Sequence, residues 1–377
     1  MRNRVITATG SGGMRLTQRQ LRNAHVQGQE DDREARSRDD GKLHGSASDG
    51  VRRRRGGTFA LTLVAIQLGL MFVGALMPTP LYPLYRQAFG FSGIVLTLIF
   101  AVYVLGNLLS LLLLGRLADQ IGRRNASLPA IGFGLASAAV FAAAAGTSWL
   151  FAARLLSGLA TGLAAGAATA WIAELYSGRT EGGAARIASA ANFFGCAGPL
   201  LAGLLAQFAF WPLQLSFLVY LVLLCIIACG LFLVPETVSH RRGPAQLALK
   251  PRIGVPPHIR LQFVAPAVTG FATFALIGFY GALLPNLLAS SLHQSAPAIA
   301  GAVVCALFLV AALTILSTGR LQSQAAMMSG LALLPPSLWL LVGAQLAQSM
   351  PILLLATVLG GISGGFGYRG SLAIRCR

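Results

Sequence analysis

Charge is what this 377-residue sequence has least of. Asp, Glu, Lys and Arg make up 11% of it, against about 25% in soluble domains, and only 11 side chains are acidic. An ordinary water-soluble enzyme is excluded on that ground. Disorder along the whole chain is excluded too, because hydrophobic residues reach 55% and mean hydropathy is +0.69. Cysteine is scarce: Cys196, Cys225, Cys229 and Cys305 fall in apolar runs and Cys376 near the end. Cys225 and Cys229 share a helix face with no His or acid beside them, so packing is expected there, and no metal. His25, His44, His240 and His258 lie in polar segments and His293 in a loop. With no His/Asp/Glu cluster and no nucleophile beside a base, an enzyme is disfavoured and no cofactor is expected.

What charge there is runs 29 basic to 11 acidic, a net +18. A nucleic-acid binder would carry that excess on a polar surface that follows phosphates. Here residues 1–56 hold 13 of the basic residues, among them Arg52 to Arg55, with seven acids and almost no apolar periodicity. They read as a disordered basic tail. The 321 residues from 57 onward hold 16 basic side chains and four acids, Asp119, Glu174, Glu181 and Glu236. A bilayer span takes about 20 mostly apolar residues, and ten such runs are present: about 58–77, 93–114, 126–147, 149–174, 186–208, 213–234, 262–288, 298–317, 324–347 and 351–368. They lack the alternation of a membrane barrel, so the fold class is all-α integral membrane.

Lys and Arg collect in cytoplasmic loops. With the tail inside, 27 of the 29 basic residues fall on that side, Arg86 outside and Arg154 within a span. A ten-pass protein of a bacterial-type inner membrane is expected, its N-terminus cytoplasmic, with the lipid bilayer rather than nucleic acid as its partner. The first apolar run is too long and too late for a cleavable signal.

The loop after the second span reads Gly115-Arg-Leu-Ala-Asp119-Gln-Ile-Gly122-Arg123-Arg124. Its glycines permit a tight turn, Asp119 suits a helix N-terminus, and the arginines suit the cytoplasmic boundary. Pattern and position resemble the loop motif of the major facilitator superfamily. Span four carries Arg154-Leu-Leu-Ser-Gly158-Leu-Ala-Thr-Gly162, and span five Gly195-Cys-Ala-Gly198-Pro199-Leu-Leu-Ala-Gly203. The first is similar to that family's intramembrane arginine motif, the second to its antiporter-associated Gly-Pro motif. Val234-Pro-Glu-Thr237 resembles the family's exit into a central loop.

The resemblance, over about 58–377, implies a helical bundle of two six-helix halves that moves a small solute by alternating access. On it, 57–234 is the N-terminal half, 235–261 the central cytoplasmic loop, and 262–377 a C-terminal half of four helices. It implies a gate cluster of Asp119, Arg123 and Glu174, with Gly115, Gly122 and Arg124 shaping the loop, and a hinge at Gly195, Gly198, Pro199 and Gly203, for which a plain kink is the alternative. Arg154, about five residues inside Trp149, either faces the cavity or snorkels to the near boundary. Gln67, Asn107, Asn192 and Asn286 are further pathway candidates, and each can instead bond between helices. Proton-coupled efflux of an amphipathic compound by a monomer is the leading expectation, although no acid but Glu174 lies in a span.

Gly115-Arg-Leu117 recurs as Gly319-Arg-Leu321, 204 residues on. The same offset carries Glu174 to 378, one residue past the end, so two further helices are expected to be absent, through truncation or as a ten-span variant. A non-transporting remnant is the rival reading.

Overall fold

The computed structural model describes residues 57–115, 117–176, 183–234, 236, 260–318 and 321–372. Outside the described residues lie the expected tail 1–56, most of the loop 235–261, Gly319 and Arg320 of the repeat, and 373–377. Phe59–Arg377 forms one compact unit, and among the described residues every regular element is helical.

Helix α1 covers 57–76 and stops where Pro78 and Pro80 remove backbone donors. After the 3-10 turn Thr79–Leu81 the chain resumes as α2, Tyr82–Phe89. The first span is therefore Gly57–Phe89, longer than the run 58–77 because its polar end, with Arg86, remains helical. Ser92 caps α3, Gly93–Leu109, by accepting the Val95 amide. That helix ends in a π turn, Ser110–Leu114, and a short α4, Leu117–Ile121, follows. The third and fourth spans are α5, Arg123–Ala142, and α6, Thr147–Leu175. The fifth is broken into α7, Gly183–Phe193, and α8, Ala197–Phe208, by a 3-10 turn over Phe194–Cys196. Pro199 cannot donate to the Gly195 carbonyl, so the regular ladder fails there.

The sixth span, α9, Leu215–Leu231, has 17 mostly apolar residues and is the shortest. Beyond the loop come α10, Arg260–Ala282, α11, Leu284–Ser291, α12, Pro297–Ser317, α13, Ser323–Leu346, and α14, Met350–Leu372. Nine of the described helices are long and apolar enough to cross a membrane, and α9 makes the tenth run. Pro129, Pro266, Pro335 and Pro336 sit inside helices that continue past them, as membrane helices tolerate.

Two buried cores result. One joins the first six spans around Leu68, Phe141, Trp171 and Leu224. The other joins the last four around Tyr280, Leu307 and Leu353, and takes in Leu76 and Phe193 from the first six. Outward faces are apolar: Leu105 and Leu112 before α4, Val222 and Ile226 on α9, and Phe271 and Phe274 on α10 are exposed, as lipid requires.

Candidate functional site

Arg123 and Arg124 open α5 at one end of the bundle, called here the basic end. There Gly122 adopts φ +104°, a conformation that favours glycine. The turn it makes delivers Arg123 and Arg124 to the first turn of α5, whose amides have no partner within the helix. Glu236 fills that role from far along the sequence. Its Oε1 accepts the Arg123 amide at 2.9 Å and its Oε2 the Arg124 amide at 3.1 Å, so a carboxylate sits on the positive end of the helix dipole. A methyl on Gly122 would lie 2.4 Å from Glu236 Oε2. Arg123 reaches the other way, donating from Nε and Nη2 to Glu174 Oε1 at 3.1 and 2.8 Å. Arg124 Nη1 donates to the Phe232 carbonyl at 3.3 Å. Asp119 belongs to α4, but its side chain lies outside the described residues.

Towards the opposite end, Arg154 of α6 is fully buried. It does not snorkel. The proline break that ends α1 leaves carbonyls of its last turn without helical donors. Arg154 Nη1 donates to one of these, Ala75, at 2.5 Å, and its Nε to the Tyr82 hydroxyl at 2.5 Å. The guanidinium thus meets the negative end of the α1 dipole. Four rings surround it: Tyr82 at 5.3 Å, Tyr103 at 5.4 Å, Phe100 at 5.7 Å and Phe141 at 6.0 Å from the guanidinium carbon. A charge at the centre of a membrane helix costs about 2.5–3.5 kcal/mol, and a desolvated cation–π contact returns up to about 2 kcal/mol. The box therefore offsets the burial without a carboxylate. One nitrogen, Nη2, is buried with no hydrogen-bond partner among the described residues.

None of these rings is marked by a sequence motif. What marks them is depth: Tyr82, Phe100 and Phe141 come from the first three spans, each toward the end that faces away from the basic end, as Arg154 does on the fourth. Phe141 also borders a cavity of about 10 Å³ with Ser137, Ser157 and Tyr220, enough for a water and not for a solute.

The other polar candidates are scattered, and no described hydrogen bond links them to Arg154. Gln67 is fully buried on α1 with both amide atoms unpartnered among the described residues. Asn107 lies between α3 and α6, where a methyl on Gly162 would come within 2.8 Å of its Oδ1. Asn192 donates to the Tyr368 hydroxyl, tying α7 to α14. Asn286 is half-buried on α11, its carbonyl accepting the Ser290 hydroxyl at 2.8 Å.

The span-five glycines are all contact points. Methyls on Gly195 and Gly198 would strike Phe72 Cβ at 2.7 Å and the Val73 carbonyl oxygen at 2.2 Å on α1, and one on Gly203 the Pro297 carbonyl oxygen at 2.4 Å on α12. The motif is thus wedged between the first span and the second group of helices. Gly115, after the π turn, stands against the Leu111 carbonyl.

The family model described as Major Facilitator Superfamily matches residues 58–374. Among solved structures, the fold is similar to that of the human organic anion transporter MFSD10 (TETRAN), with a TM-score of 0.61 and 20% identity over 84% of this chain and 85% of that one. A bacterial homologue of the human lysosomal transporter Spinster is similar in two inward-facing states. The unoccupied state has a TM-score of 0.61 and 15% identity over 84% of this chain and 74% of that one. The occupied state has a TM-score of 0.60 and 15% identity over 83% and 73%. No match was found among curated proteins. At such identities the structural likeness speaks for the fold, and the match over 58–374 speaks for the family. A helical membrane bundle with this loop motif, this intramembrane arginine and this Gly-Pro span belongs to the major facilitator superfamily, whose members move small solutes.

Proposed function

We propose that the chain exports an amphipathic organic anion by alternating access, with Arg154 as the counter-ion. One observation carries this reading: a guanidinium fully buried among aromatic rings, with no carboxylate partner and with Nη2 unsatisfied among the described residues. A carboxylate or sulfonate would accept from Nη2, and the rings would take the apolar part of the same molecule. The name of the similar human transporter, an organic anion transporter, agrees with this chemistry.

On this reading the basic end is cytoplasmic, Arg123 and Glu174 with Asp119 form the gate, and Glu236 anchors it. Proton exchange is the coupling expected from the Gly-Pro motif. The spans hold no acid except Glu174, and an anion leaving an inside-negative cell is already driven by about 2.3 kcal/mol per charge per 100 mV.

The test uses purified protein in liposomes loaded with a fluorescent amphipathic sulfonate, with either a potassium–valinomycin potential or a pH gradient imposed. Efflux is expected to rise with the inside-negative potential and to fall at least tenfold in Arg154→Gln, provided the variant elutes as the native protein does. Undiminished efflux in Arg154→Gln defeats the anion reading. Efflux that follows the pH gradient and ignores the potential restores proton exchange.

A further inference from the structure

The fifth span and α12 run antiparallel, and their contacts recur turn by turn. Gly203 stands against the Pro297 carbonyl, and Gly301 against the Pro199 carbonyl, where a methyl would lie 2.2 Å from the oxygen. Between these contacts the numbering falls by four on one strand of the pair and rises by four on the other, about one helical turn each. A further turn in the same direction brings Cys196 opposite Cys305. Their thiols lie within reach of each other, and both residues are only partly buried. The close backbone approach that the glycines permit suits a disulfide, which needs Cα atoms about 4.4–6.8 Å apart. One cysteine belongs to the first six spans and the other to the last four.

We propose that Cys196 and Cys305 form a reversible disulfide site that joins the two groups of helices covalently. The oxidant is a peroxide, small and uncharged enough to enter the bundle. One thiol is oxidised by hydrogen peroxide to a sulfenic acid as the O–O bond breaks and the first water leaves. The second sulfur attacks the first, the S–S bond forms, and the second water leaves. Two thiols lose two electrons and two protons, and one peroxide becomes two waters. A thiol reductant reverses the bond. Cys225 and Cys229 lie four apart on the exposed face of α9, on a single helix, and a bond between them would join nothing.

The experiment needs no knowledge of the solute, so it stands or falls apart from the transport reading. Full-length protein carrying Cys225→Ser, Cys229→Ser and Cys376→Ser, with a specific protease site inserted after Gly243, is purified and shown to elute as native. It is treated with hydrogen peroxide, blocked with a maleimide, cleaved, and run in SDS without reductant. The two fragments are expected to migrate as one band and to separate on reduction. The thiol titre should fall from two to none, and mass spectrometry should find one peptide pair linked through 196 and 305. With Cys305→Ser added, the fragments should separate under every condition. Separate fragments from the peroxide-treated pair would overturn the proposal, whether the two thiols remain titratable or are carried singly to higher oxides.

Discussion

Glu236 shows how much of the basic end rests on one carboxylate. Its two oxygens satisfy two first-turn amides of α5, and the turn that permits this needs Gly122 at φ +104°. Removing a capping side chain costs about 0.5–2 kcal/mol, so Glu236→Ala should unfold at lower temperature by an amount of that order. Gly122→Ala should cost about as much or more, since it adds strain of about 1–3 kcal/mol to a methyl 2.4 Å from Glu236 Oε2. Thermal unfolding in detergent, followed by tryptophan fluorescence, measures both, and a Glu236→Ala midpoint equal to wild type would show the cap to be idle. A second prediction concerns the arginine box. Tyr82→Phe keeps the ring over Arg154 and deletes the acceptor of Nε. Anion efflux should fall several-fold with folding intact. The sequence marked Arg154 and Glu174 because charge is rare in spans and stands out, and Arg123 through the loop motif. It placed Glu236 in the exit motif but hid its capping role, which shows only when two points 113 residues apart in sequence are known to meet. It hid the four rings as well, because aromatics are common in membrane helices and carry no periodic mark.

Helix ends and crossings follow from proline and glycine, the residues whose backbone behaviour is legible in a linear sequence. The Pro78/Pro80 break ends α1 and leaves the Ala75 carbonyl for Arg154, while Pro199 explains the interrupted fifth span. Their consequence for neighbours was not legible, since a sequence shows that a helix breaks and not which side chain takes the freed carbonyl. Gly158 and Gly162 bring α6 close to α3: methyls there would lie 2.2 Å from the Tyr103 carbonyl oxygen and 2.7 Å from that of Asn107. A side chain at either position must push two backbones apart, which membrane helices held by close contact do not absorb. Gly158→Leu is therefore expected to abolish monodisperse folded protein, judged by fluorescence-detected size exclusion. Gly132→Ala and Gly343→Ala, where no atom lies within 4 Å of the added carbon, should express and elute as wild type. Equal behaviour of Gly158→Leu and these controls would mean that the α3–α6 crossing is not held by its glycines.

The direction of transport depends on how the whole molecule stands in the bilayer, and there the sparse charge matters most. On the ten-span reading of the sequence, 27 of the 29 basic residues are expected on one side, and each Lys or Arg near a span end biases that side toward the cytoplasm. Among the described basic residues, Arg86 of α2 lies toward the opposite end, one turn beyond Tyr82 of the arginine box. If the bundle stands this way, the box lies about seven residues, or roughly 10 Å, below the outer end of α6, and an anion released from it leaves toward the positive side of the membrane potential. Inverted, the same box would lie near the cytoplasmic side, and the potential would still favour an anion leaving the cell. The orientation can be read directly from two exposed positions, Gln87 on α2 and Ala185 on α7. Each is changed to cysteine in a chain with its five native cysteines replaced by serine. In intact cells a membrane-impermeant maleimide is expected to label Gln87→Cys and spare Ala185→Cys, and in inside-out vesicles the pattern should reverse. Labelling of Ala185→Cys in intact cells with Gln87→Cys protected would invert the topology.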